Sequence, residues 1–202
     1  KLEININYNI DFERFHKVYD RINEYLWELI RDGKIDKDYL RKHRFYDTFL
    51  EFDIDNFELS QYFEEHFLDR ILSYNDLVDG TLDLLDYLKS KDYKLHIISN
   101  GFQEVTERKC VLSGIDKYFQ TITSADSVGK RKPNPEVFKY ALNEANANVE
   151  ESLMIGDDWI ADVVGATNFG MKAVFFDALQ ENLERDLSVL KINKLVEIKN
   201  IL

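Results

Sequence analysis

Apolar positions follow two rhythms along this chain. Between residues 11 and about 75 they recur every three or four residues: Phe12, Phe15, Tyr19, Ile22, Leu26, Leu29 and Ile30 mark one face of a helix. Asp11 can cap the start of that helix and Gly33 can end it. Asp36 can cap a second helix carrying Tyr39, Leu40, Phe45, Tyr46 and Phe49. Asp55 and Glu58 have capping-box spacing before a third, whose apolar residues are Leu59, Phe63, Phe67 and Leu68. A small helical bundle is expected. Sixteen aromatic residues lie before position 76, so its core should be built largely of rings. The segment ahead of it differs: Leu2, Ile4, Ile6, Tyr8 and Ile10 alternate with polar residues, as an extended strand would.

From about residue 76 short β-branched runs alternate with amphipathic helical stretches. The expected strands are 94–99, 121–124, 152–155 and 172–176, and helical patterns lie at about 81–90, 102–113, 136–146 and 160–168. This alternation predicts right-handed βαβ units and an α/β, Rossmann-like parallel sheet covered on both faces. The expected domains are a helical cap over 11–75 and an α/β core over 76–202.

Composition narrows the partners. A formal charge of −12 and a pI near 4.8 argue against a nucleic-acid polymer or an anionic membrane surface as partner. No apolar run approaches the roughly 18 residues of a spanning helix. The single Cys110 cannot form an intrachain disulfide, which makes a reducing cytoplasm the expected compartment, for a monomer or a homodimer.

In a parallel sheet, ligands bind beyond the carboxyl ends of the strands, so the residues that follow each strand carry the candidate chemistry. Ser99-Asn100-Gly101 follows the first strand; its hydroxyl and backbone N–H groups can hold a phosphate, or it can be an ordinary turn. After the second comes Gly129-Lys130-Arg131-Lys132-Pro133-Asn134-Pro135, with the chain's only two prolines. Pro133 disfavours helix at Lys132, and Pro135 can open the next helix. Three adjacent cations in an acidic protein fit either an anion site or a solvated loop. Gly156-Asp157-Asp158 and Asp162 follow the third strand, where carboxylates can converge on a hard divalent cation or cap a helix. Together they would supply neutral donors, a lysine and a metal site, the equipment of phosphoryl transfer.

Ser99-Asn100-Gly101, Lys132-Pro133 and Gly156-Asp157-Asp158 with Asp162 resemble, in order, motifs two to four of the haloacid dehalogenase-like (HAD) hydrolase superfamily. The likeness runs from about Leu77 to Phe176, and the stretch 11–75 resembles the helical cap of one branch. Leu26-Trp27-Glu28-Leu29-Ile30-Arg31-Asp32-Gly33-Lys34-Ile35 is most similar to the cap of the pyrimidine 5′-nucleotidase group. The resemblance implies a Mg²⁺-dependent phosphatase working through an aspartyl-phosphate on a small phosphorylated metabolite, nucleoside monophosphates foremost. It assigns phosphate binding to Ser99, Asn100 and Lys132, catalysis to Lys132 and Ser99, and the metal to Asp157 and Asp162. The acid cluster separates the chain from metal-free 2-haloacid dehalogenases.

One departure matters. The superfamily's first motif, an Asp-x-Asp after the first core strand, is absent, and Asp53-Ile54-Asp55 lies in the helical stretch, where capping explains it better. That first strand occupies the middle of the family's sheet. Leaving it out would expose two buried strand edges at roughly 1–3 kcal/mol per unpaired group. The expectation is therefore roughly 20–35 further residues upstream. The alternative is a non-catalytic phosphate-binding or interaction protein of the same fold.

Overall fold

The computed structural model describes residues 10–179 and 188–202, which divide after Tyr74 into a helical unit and an α/β unit. Three helices build the first: α1 (Phe12–Arg31), α2 (Lys37–Leu50) and α3 (Phe57–Ser73). Asp11 caps α1 by accepting from the Arg14 N–H at 2.9 Å, and Asp36 caps α2 by accepting from the Tyr39 N–H at 2.8 Å. The cap of α3 is Asn56 and not Asp55. The Leu59 N–H donates to Asn56 Oδ1 at 2.9 Å, while Asp55 accepts from the Tyr46 hydroxyl at 2.7 Å. A tertiary contact has claimed the carboxylate that spacing alone gave to the helix start. The stripe on α1 is also narrower than expected, since Phe15 and Leu26 are buried but Phe12 is exposed.

The core of this unit is aromatic, with Phe15, Phe45, Phe49 and Phe63 buried and Tyr19 and Phe67 packed against them. Phe49 meets Phe63 edge-to-face at 5.0 Å between centroids, a favoured ring geometry. One ion pair is buried among the rings. Arg44 donates from Nε and Nη2 to the two oxygens of Glu64 at 2.5 and 2.7 Å, and its guanidinium lies 4.6 Å from the centre of the Phe67 ring. Burial pushes the neighbouring Tyr19 hydroxyl up to about 12, against the opposing pull of Arg44. The extended segment expected over residues 2–10 lies outside the described residues except for Ile10, which is buried in this core.

In the second unit, α4 (Thr81–Ser90), β1 (Leu95–Ser99), α5 (Gln103–Leu112), β2 (Phe119–Ser124), α6 (Pro135–Ala145) and β3 (Leu153–Gly156) follow in order. A π-helical turn (Trp159–Val164) continues into α7 (Gly165–Phe169), before β4 (Lys172–Phe176) and β5 (Leu190–Ile192). All strand pairs are parallel. β5 was not among the expected strands: three residues with Lys191 at the centre are too short to show a period.

The sheet comes in two pieces, β1–β2 and β3–β4–β5. β1 and β3 nevertheless feed the same two cores. Leu95, Leu153 and Ile155 pack with Leu84, Leu88, Val174 and Ile198 on one face. Ile98 and Met154 pack with Phe138, Ala166 and Met171 on the other. Among the described residues no ladder joins β1 to β3, and every residue of both strands is only half-buried, while Val174 and Phe175 of β4 are buried. A slot thus separates two strands that share cores above and below.

Candidate functional site

The carboxyl ends of β1 and β3 are joined by one side chain. Lys132, buried in the loop between β2 and α6, donates from Nζ to the Ile98 carbonyl at 2.8 Å and to Asp162 Oδ1 at 2.5 Å. An ammonium carries three N–H donors, so one is left over. The Lys132–Pro133 peptide is cis, and the bend closes with the Asn134 N–H donating to the Arg131 carbonyl at 2.8 Å. Asn134 caps α6, which opens at Pro135.

Asp162 reaches this position because of Gly156. A Cβ on residue 156 would sit 2.2 Å from Asp162 Oδ2 and 2.4 Å from its Cγ, so only glycine lets the carboxylate lie against the end of β3. The second oxygen of Asp162 accepts from the Asp158 N–H at 3.2 Å.

Ser99 ends β1 half-buried. Its Oγ accepts from the Gly101 N–H at 3.0 Å and lies 3.2 Å from the Thr106 hydroxyl, which itself has the Phe102 carbonyl at 3.0 Å. The side chain of Asn100, a residue expected to handle phosphate, is committed within the protein. Its Oδ1 accepts from the Lys132 N–H at 2.8 Å and its Nδ2 donates to the Lys132 carbonyl at 3.0 Å, so both polar atoms are spent on the lysine's backbone.

The carboxylates after β3, read from the sequence as a cation site or a helix cap, take three separate parts. Asp158 turns away to cap the π-helical turn, accepting from the Ile160 and Ala161 N–H groups at 2.9 and 2.8 Å. Asp162 is taken by Lys132. Asp157 is exposed, and among the described residues its carboxylate has no hydrogen bond or ion pair. No group of three or more His, Cys, Asp or Glu among the described residues could hold a metal ion by itself. One uncommitted carboxylate at a strand end still fits the habit of Mg²⁺, which takes one or two carboxylates and fills its other positions with water and phosphate oxygens.

The loop cations also separate. Lys130 is exposed, whereas Arg131 and Lys132 are buried. Arg131 is a residue that sequence reasoning left unassigned; its place in a run of three cations beside the prolines was the available signal. Trp159 is half-buried and meets the Phe175 ring nearly at right angles, 5.4 Å between centroids.

Comparison with known proteins places this geometry among relatives. A sequence model of the haloacid dehalogenase-like hydrolases matches residues 36–176. The chain is 37% identical over 128 residues to a glyceraldehyde 3-phosphate phosphatase of Methanothermobacter thermautotrophicus, covering 60% of this chain and 56% of that protein. It is 37% identical over 99 residues to the pyrophosphatase PpaX of Listeria monocytogenes, covering 49% and 44% respectively. The chain thus spans about half the length of these curated relatives. Among solved structures, YfnB of Bacillus subtilis bound to magnesium shares the fold at a TM-score of 0.83 and 24% identity, with 98% of this chain and 86% of that one covered. A HAD phosphatase from Thermococcus onnurineus aligns at a TM-score of 0.61 and 28% identity, over 93% of this chain and 87% of its own. No helix among the described residues is long and apolar enough to cross a membrane.

Proposed function

Because this chain belongs to the haloacid dehalogenase-like hydrolases, we propose that it is a phosphatase acting on a small phosphomonoester. The observation that carries the reading is Lys132, whose buried ammonium spans the ends of β1 and β3 and keeps one N–H free. A fixed cation with a spare donor stabilises negative charge as it develops on a transferring phosphoryl group, and it does so without reorganising. Asp162 holds the ammonium in place. Ser99 contributes its hydroxyl to a phosphoryl oxygen.

Asp157 is the residue to hold Mg²⁺, with water and phosphate oxygens completing its shell; when bound, the ion neutralises phosphoryl charge. Asp162 serves that arrangement indirectly, through Lys132. The attacking carboxylate implied by the family resemblance belongs on a strand in the slot between β1 and β3. Such a strand would pair both open edges and account for the half-buried state of β1 and β3. Amide exchange on the natural protein reads this directly: slot-facing amides of β1 and β3 should exchange slowly, and fast exchange would leave the slot empty.

Nucleoside monophosphates head the substrate panel. The relatives named above add a triose phosphate and pyrophosphate. Hydrolysis is expected with Mg²⁺ and lost with a chelator, and Lys132→Ala should lower kcat roughly 10²–10³-fold. An unchanged rate would remove the role given to Lys132. Binding of inorganic phosphate and Mg²⁺ without hydrolysis of any monoester would replace the phosphatase reading with a phosphate-binding one.

A further inference from the structure

Arg131 is 8% exposed, and its Nη1 donates to the carbonyl of Asn100. Its guanidinium also lies 5.9 Å from the centre of the Phe102 ring, so the segment just after β1 is gripped at residues 100 and 102. In return, the Asn100 side chain holds both backbone groups of Lys132, at 2.8 and 3.0 Å. Residue 131 thus fixes the backbone of 100, and residue 100 fixes the backbone of 132. Lys132 is pinned at its Cα by this clamp and at its head by Ile98 and Asp162.

A buried guanidinium is costly to desolvate, and a second buried cation on the adjoining residue adds repulsion. Burial pushes Arg131 down to about 10, which still leaves it charged at neutral pH, with Asp126 pulling the other way. A turn alone does not require this expense. A short polar residue could close the bend between Arg131 and Asn134, whose bond uses only backbone atoms.

Resting on the phosphatase reading, we propose that Arg131 is a positioning residue of the phosphoryl site, acting through Asn100 to set where Lys132 presents its free N–H. Small displacements of a reacting or charge-stabilising group cost rate out of proportion to their size, about 10²-fold for an ångström. Substrate binding is affected less, because the cation itself stays.

The test is a double-variant cycle on the phosphomonoester that the wild type turns over fastest, with kcat corrected for the folded fraction. Arg131→Gln and Asn100→Ala should each lower kcat about 10–100-fold while KM moves less than about threefold. The double variant should fall little below the poorer single variant, because both act along one path. Wild-type kcat in Arg131→Gln, or losses that multiply in the double variant, would overturn the proposal. Should Arg131→Gln fail to fold, Asn100→Ala with Arg131→Lys reads the same clamp, with the lysine variant expected between wild type and Asn100→Ala. An Arg131→Lys loss deeper than that of Asn100→Ala would count against the proposal.

A second readout separates this proposal from the phosphatase reading. In the ¹⁵N spectrum, the Lys132 ammonium protons should be slowed in exchange by their bonds to Ile98 and Asp162. They should broaden away in Arg131→Gln and in Asn100→Ala. Persistence of the protected signal in both overturns the positioning role, even if the wild type hydrolyses no phosphomonoester at all.

Discussion

Each of the two units buries an ion pair, and the two pairs differ in what surrounds them. In the helical unit Arg44 and Glu64 face each other from the middle of α2 and α3, matched fork to carboxylate, with the Phe67 ring beneath the guanidinium. A second guanidinium, Arg41, lies 3.9 Å from the same carboxylate, and every group around the pair belongs to the bundle itself. In the α/β unit Lys132 and Asp162 both come from segments beyond strand ends. One spends a bond on the Ile98 carbonyl, the other accepts from the Asp158 N–H, and the lysine keeps a donor in hand. A buried pair between the middles of two helices is a packing solution; a buried pair beyond strand ends stands where a parallel sheet binds its ligands. Burial alone does not distinguish them, since Arg44 is 4% exposed and Lys132 7%.

The sharpest way to break this comparison is to replace each pair with apolar residues. Arg44→Met alone strands a buried carboxylate and should destabilise the helical unit by about 3–5 kcal/mol. Adding Glu64→Leu should recover part of that loss, because a packed apolar pair avoids both desolvation costs but leaves Arg41 without the carboxylate 3.9 Å away. Turnover per folded molecule should not change. Lys132→Met with Asp162→Leu should keep the α/β unit folded and leave no turnover. The chain has one tryptophan in each unit, Trp27 and Trp159, so single-tryptophan variants follow the two unfolding transitions separately in denaturant. Loss of turnover in the Arg44/Glu64 double variant would erase the distinction.

Gly156→Ala sharpens the same point with a smaller change. Nothing comparable to the 2.2 Å approach of Asp162 exists for the helical pair, which rests on rings rather than on a bare backbone. A methyl group at 156 must push the carboxylate aside, an overpacking cost of about 1–3 kcal/mol. The Trp159 transition should shift and the Trp27 transition should not, while kcat drops with the displaced Asp162. A full-rate, fully stable Gly156→Ala variant would show that the carboxylate can sit elsewhere at no cost.

The two units were also legible to different depths. Periodicity is a local signal, and it located three helices of the first unit and four strands of the second, with β4 at its observed bounds of Lys172–Phe176. What it could not see were partners distant in sequence. Asp55 looked like a cap because of Glu58, but the Tyr46 hydroxyl, nine residues back, had already taken it. Arg44 and Glu64 are twenty residues apart, and no local pattern pairs them. At the site, position after a strand was enough to mark Ser99, Lys132 and the acids as candidates. It could not divide the acids, because Asp157, Asp158 and Asp162 are one residue type in one short segment. Their separation into an uncommitted carboxylate, a helix cap and a lysine partner depends on the π-helical turn and on Gly156. Nor could spacing tell that Asn100 faces the Lys132 backbone rather than a ligand.

The smallest expected effect concerns pH, and it too falls on one unit. His96 lies on β1, its Nδ1 2.8 Å from the Thr121 hydroxyl, and its pKa is lowered first by burial and then by the charge of Lys94. At pH values above the ordinary histidine value of 6.5 the ring is neutral in both folded and unfolded chains, and its contribution to stability is fully present. As pH falls through that value, the unfolded chain takes up a proton that the folded chain resists, so stability declines until the lower folded pKa is passed. The residue is only half-buried, which keeps the decline modest. Denaturant midpoints measured from pH 8 to 5 on the single-tryptophan variants should show this slope in the Trp159 transition, and His96→Gln should flatten it there. A slope that survives His96→Gln would assign the pH dependence to another group.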